Sequence, residues 1–200
     1  MTQAVLIDSP VANIGNIARA LRTCGAELSV TCDPAEIAKA RALVLPGVGS
    51  FGAAMRWLTS TGVDEAIRAA LESGASLLGI CVGHQALFDL SHEMGITRGL
   101  GIVRGEVERF DGALPVPQIG WNRVSFFDDP LFAGIASGTP FYFVNSYAAR
   151  RAENEIARGE YDGSFTAAVR NGRVFGVQFH PEKSSAAGLR VLRNFLELAA

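Results

Sequence analysis

The chain has 200 residues, 48% of them hydrophobic and 19% charged, and its 18 basic and 20 acidic side chains leave a formal net charge of −2. That length suits a single globular domain over residues 1–200 and is too short for two full enzymes. Balanced charge argues against a broad nucleic-acid or anionic-membrane surface, which needs a basic surplus. No apolar run approaches the roughly 18 residues of a membrane span, so the expectation is a soluble, cytoplasmic protein whose partners are small molecules or other proteins. The 3 cysteines, Cys24, Cys32 and Cys81, form no CxxC spacing. They predict neither a disulfide framework nor a zinc site, and no metal or cofactor is expected.

In chain order, AVLI at 4–7 reads as a buried strand, followed by a helix with Ile14, Ile17, Ala18 and Leu21 on one face and Asn13 at its N-cap. A strand at 27–31 leads to Asp33, Pro34 and Glu36, a helix start with cap, first-turn proline and reaching carboxylate. ALVL at 42–45 is the next strand, the glycine-rich stretch 45–52 a loop, and Val63, Ile67, Ala70 and Leu71 a helical stripe that leads into a strand at 76–80. This alternation predicts an α/β fold of three layers, with a mostly parallel central sheet between flanking helices and a smaller antiparallel portion. From 99 to 147 glycine, proline and aromatic residues predict short strands instead. A hairpin with its two-residue turn at Asn171 and Gly172 then runs to His180, and Leu189, Leu192, Phe195 and Leu196 mark a closing amphipathic helix.

The segment GICVGHQ at 79–85 sets Cys81 between a buried strand and a helix, with glycines two residues before and two after. Such glycines permit a tight strand-to-helix turn that exposes a nucleophile at the carboxyl end of the sheet. Backbone N–H groups there favour both a thiolate and an oxyanion. A thiol attacking an amide needs a base. Of the 3 histidines, His92 reads as a surface residue and His84, on the first helical turn, as a packing residue. His180 ends an apolar strand, and Pro181 stiffens the chain so that Glu182 can bond one ring nitrogen and leave the other for the thiol. Gly47, Gly49 and Gly52 suit a backbone that brings N–H groups against a ligand.

Three segments together, LPGVGSFG at 45–52, GICVGHQ at 79–85 and QFHPEKS at 178–184, resemble the class I (triad) glutamine amidotransferases over essentially the whole chain. Within that family, PQIGWN at 117–122 and YFVNSY at 142–147 are most similar to the glutaminase subunits of imidazole glycerol phosphate synthase. The resemblance implies that Cys81 is the nucleophile, His180 the general base and acid, and Glu182 the orienting carboxylate. It implies an oxyanion and glutamine site at Gly47, Val48, Gly49 and the Val82 N–H, with Gln85 and the Ser146 and Tyr147 backbone holding the amino-acid end. It also implies L-glutamine as substrate and ammonia delivery to a (β/α)8 cyclase subunit (HisF), which meets Asn13, Gly120, Trp121, Asn122 and Tyr142.

Some positions depart from the family pattern. His84 stands where these subunits mostly have methionine, Gln118 and Asn145 where histidine is frequent, and the segment 8–14 is less glycine-rich than usual. Three other readings stay open: a subunit serving another acceptor such as chorismate, a non-catalytic regulatory relative, and a stand-alone cysteine hydrolase.

Overall fold

A computed structural model describes residues 2–10 and 13–200. Val11 and Ala12, in the glycine-poor N-terminal segment, lie outside the described residues. The alternating half forms β1 (Thr2–Ile7), α1 (Ile14–Thr23), β2 (Ala26–Thr31), α2 (Pro34–Ile37), β3 (Ala42–Gly47), α3 (Phe51–Thr61), α4 (Val63–Glu72), β4 (Ser76–Cys81) and α5 (Val82–Gln85). Then come β5 (Phe88–Ser91), β6 (Thr97–Arg98), β7 (Val103–Arg109), β8 (Gln118–Phe126), β9 (Pro140–Asn145), β10 (Tyr147–Ala149), β11 (Glu155–Glu160), β12 (Ser164–Asn171), β13 (Val174–Val177) and α6 (Ser185–Ala199).

The main sheet has the order β2-β1-β3-β4-β13-β12-β11-β8-β9. The strands from β2 to β13 in that order run parallel, and the pairings from β13 onward to β9 are antiparallel. A second sheet has the order β10-β7-β5-β6. Alternate residues of each parallel strand serve opposite faces, as the two-residue period of a strand requires. Leu6, Val44, Leu78 and Ile80 pack with Ile17 and Leu21 of α1 and Val191 and Leu192 of α6. Ile7, Leu43, Leu45 and Leu77 pack with Phe51, Leu58 and Ile67 of α3 and α4. Burial on both faces explains why these strands read as continuous apolar runs. No helix is long and apolar enough to cross a membrane among the described residues.

Two local expectations need correction, and a third holds in position only. Asn13 occupies the N-cap of α1, but its side chain makes no capping hydrogen bond. The hairpin turn falls one residue later: Asn171 pairs with Val174, so Gly172 and Arg173 form the turn. Gly172 takes the positive φ of 60°, which a type II′ turn demands of its first central residue. Helix α3 occupies most of what reads as loop and unassigned chain after Gly49.

Candidate active site

Cys81 has φ 55° and ψ −110°, a left-handed conformation that a non-glycine residue holds only when its surroundings enforce it. They do so by close backbone approach. A Cβ on Gly79 would come within 2.6 Å of the Gly83 carbonyl oxygen, and one on Gly83 would collide with the Leu45 carbonyl. The glycines flanking the cysteine are thus the contact surfaces of the turn itself. In register, Gly47 of β3 pairs with Cys81 and Val177 of β13 pairs with Ile80. The glycine loop, the cysteine and the segment leading to His180 therefore leave the sheet side by side at the carboxyl ends of three neighbouring parallel strands, where α/β sheets gather ligands.

His180 is held in place by its backbone. Its N–H donates to the Tyr142 carbonyl (2.9 Å), while Ser184 Oγ donates to the His180 carbonyl (2.6 Å) and accepts from the Tyr142 N–H (3.0 Å). Pro181 opens a 3₁₀ turn over Pro181–Lys183 that swings Glu182 back, so that Oε1 lies 2.9 Å from His180 Nδ1. This pair is almost wholly buried, with side-chain exposures of 4% and 1%. Burial by itself pulls the imidazole towards neutrality. It is outweighed by hydrogen bonds to Cys81 and Glu182 and by the charge of each, which raise the His180 pKa to about 10. With Nδ1 committed to the carboxylate, Nε2 is the atom left for sulfur, and the ring is a cation at neutral pH.

Cys81, Val82, Gln85, Ser146, Tyr147 and His180 line one cavity of about 260 Å³, together with Val48 and Gly49 of the glycine loop. Gly47 sits just beneath, where a Cβ would press on Val82 and Gly83. Glu182 stands behind His180. The carbonyls of Ser146 and Tyr147 already have partners: Phe110 N–H on the first, and the Gln85 and Asn145 side-chain amides on the second. Gln85 Nε2 donates to Tyr147 O (2.8 Å) and to Gln178 Oε1 (3.0 Å). Both of its N–H bonds are used, so Gln85 offers a ligand only its oxygen.

Six residues of this centre carry no site role in the sequence reading, among them the apolar Pro117 and Val144. Glu93 and Lys183 add one charge of each sign to the cavity wall, Asn145 adds an amide, and Gln178 directs Nε2 at the Cys81 sulfur from 3.8 Å. Glu93 also accepts from the Phe51 N–H at 2.6 Å, which fixes the start of α3 beside the glycine loop. A buried glutamine in the run VFGVQF is itself a signal, since an amide in an apolar strand needs a partner. Gln118, the register partner of Asn145, has neither amide atom paired among the described residues, and neither is Asn145 Oδ1.

Of the remaining sequence candidates, Trp121 and Tyr142 are register partners and meet edge to face, with ring centroids 6.0 Å apart. Trp121 is 53% exposed and its neighbour Ile119 63%. Gly120 lies between them with φ 134°. Asn122 instead donates to the Glu160 carbonyl (2.9 Å) within the chain, and Asn13 is exposed at the start of α1. His92 pairs with Glu106 at 2.7 Å on the surface, with Glu108 beside them. His84 is wholly buried, packs edge to face on Phe88, and has neither ring nitrogen paired among the described residues.

The family model "Glutamine amidotransferase class-I" matches residues 5–199. Imidazole glycerol phosphate synthase subunit HisH of Moorella thermoacetica is 46% identical over 99% of this chain and 96% of its own, and that of Methanosarcina mazei 43% identical over 99% and 100%. Among solved structures, one described as a glutamine amidotransferase superposes with TM-score 0.77 at 23% identity, covering 98% of both chains. The structure of PurLQS from Thermotoga maritima gives 0.71 at 21%, covering 98% of this chain and 99% of its own. The two structures share the fold, and the family model with the full-length relatives shows more: the chain belongs to the class-I glutamine amidotransferase family.

Proposed function

We propose that this chain is the glutaminase subunit of imidazole glycerol phosphate synthase, acting in the cytoplasm as one domain over residues 1–200. The observation that carries the reading is the strained Cys81 turn facing the buried His180–Glu182 pair, in a chain similar along its length to HisH proteins. L-Glutamine enters the cavity as a zwitterion, which the opposed charges of Glu93 and Lys183 and the free oxygen of Gln85 suit. The Cys81 thiolate attacks the amide carbon, and negative charge moves to an oxygen near the Val82 N–H and the loop Gly47, Val48 and Gly49. Collapse breaks the C–N bond as His180 gives its proton to the nitrogen, releasing ammonia and leaving a glutamyl thioester. Water, deprotonated by His180, then cleaves the thioester to glutamate, which restores the Cys81 thiolate and the protonated His180.

Ammonia passes to a (β/α)8 cyclase subunit (HisF), which docks on the exposed Ile119 and Trp121 and the half-buried Tyr142 beside Val144, a residue of the cavity wall. The test combines the chain with a HisF-type cyclase and its nucleotide substrate. Glutamine turnover should rise on mixing, and Cys81→Ala should abolish it while ammonia-dependent cyclase activity and complex formation persist. Turnover unmoved by the cyclase, or recovery of a chorismate-binding partner in its place, overturns the assignment of acceptor.

A further inference from the structure

We propose that Gln178 is a further residue of the catalytic centre: its amide N–H donates to the Cys81 sulfur, and the Tyr147 carbonyl, acting through Gln85, dictates which way that amide points. The inference rests on the reading of Cys81 as nucleophile.

Amide orientation follows from the acceptors around it. A backbone carbonyl only accepts, so the Gln85 atom 2.8 Å from Tyr147 O is nitrogen. Its second hydrogen meets the Gln178 side chain at 3.0 Å, so the atom there is oxygen. The other end of Gln178 is then nitrogen, and it faces Cys81 Sγ at 3.8 Å. Turning Gln85 over would set oxygen against the Tyr147 carbonyl. Asn145 Nδ2 also donates to that carbonyl, at 3.0 Å, and fills its second lone pair. Gln178 is 0% exposed and Gln85 3%, so water does not compete for these bonds. Gln178 lies two residues before His180, just past the end of β13, and both side chains reach the Cys81 sulfur. One segment thereby supplies the proton carrier and a neutral donor to the same sulfur.

The experiment follows alkylation of Cys81 by iodoacetamide across pH in the full chain, resolved by peptide so that Cys24 and Cys32 are scored separately. The titratable groups around the sulfur are His180 with Glu182 behind it, Glu93, Lys183 and Tyr147, and all stay in place. Gln178→Met should slow alkylation at pH 7 about tenfold, the scale of one hydrogen bond to a charged atom, and approach the wild-type rate at high pH. Its kcat for glutamine should fall in parallel with KM unchanged, because Gln178 is not part of the cavity wall. Gln85→Met should slow alkylation about threefold by freeing the Gln178 amide to turn. The double variant should be no slower than Gln178→Met alone, since one effect runs through the other. Wild-type alkylation in Gln178→Met, or effects that multiply in the double variant, overturns the proposal. If Gln178→Met does not fold, the isosteric Gln178→Glu carries the test, with slower alkylation at pH 7 expected and an unchanged profile overturning it. Retained glutaminase activity in Cys81→Ala would instead defeat the nucleophile reading itself.

Discussion

Two histidines lie close to Cys81 in sequence or space, and they behave as opposites. His84 and His180 are equally withdrawn from water, at 0% and 3% exposure. His84 packs on Phe88 and lies over the bare backbone of Gly176, whose missing Cβ makes room for the ring. Desolvation acts unopposed and lowers its pKa to about 3. Around His180 a carboxylate and a sulfur overcome the same penalty and raise it to about 10. Burial alone therefore silences an imidazole, and burial with anchored partners makes it a charged participant. Position 84, for all its closeness to Cys81 in sequence, belongs to the core.

The contrast breaks if His180 proves dispensable. His180→Ala should reduce glutamine hydrolysis by at least about a thousandfold, measured as glutamate release, whereas His84→Met should leave it nearly unchanged. Glu182→Gln sharpens the contrast by removing one of the two opposing charges. The His180 titration, followed by NMR, should move down towards the ordinary imidazole range, with turnover falling roughly a hundredfold. The smallest effect is on stability and separates the two residues by pH. His84 titrates near 6.5 when unfolded and near 3 when folded, so the folded state loses stability as pH falls below about 6.5. His84→Met should recover about 2 kcal/mol at pH 5 and nothing at pH 8 in denaturant titrations. His180 acts on the other limb. Its contribution is complete below about pH 6.5 and is lost as pH climbs towards 10, so His180→Ala should flatten the alkaline fall and leave the acid one intact.

Much of this is legible in the residue order, for identifiable reasons. Strands β3 and β4 are buried on both faces, so their signal is a run of apolar residues. The elbow announces itself because only glycine tolerates the contacts at 79 and 83, and His180 because a polar residue ends an apolar strand. Helix α3 stays hidden although its signals are present. Ser50 caps it by accepting from the Ala53 N–H, and Phe51, Ala54, Met55 and Leu58 form its buried face at helical spacing. The preceding glycines mask the change of period. The side-chain amide network is different in kind. Gln178 finds its partners at 81 and 85, and Gln85 finds its own at 147, so only the folded sheet order brings them together.

The register pairing of Gly47 with Cys81 separates what is rigid from what is adjustable. The sulfur is borne by an interior strand with neighbours on both sides, and moving it would tear the sheet. At that same pairing β3 ends, and Val48 and Gly49 emerge into solvent with Gly49 at φ 84°. Peptide planes there can rotate without disturbing any ladder bond. On the proposed mechanism the attacking atom is a fixture and the groups that receive the displaced charge are a tunable part, an arrangement in which a docked protein can set the rate without touching the nucleophile.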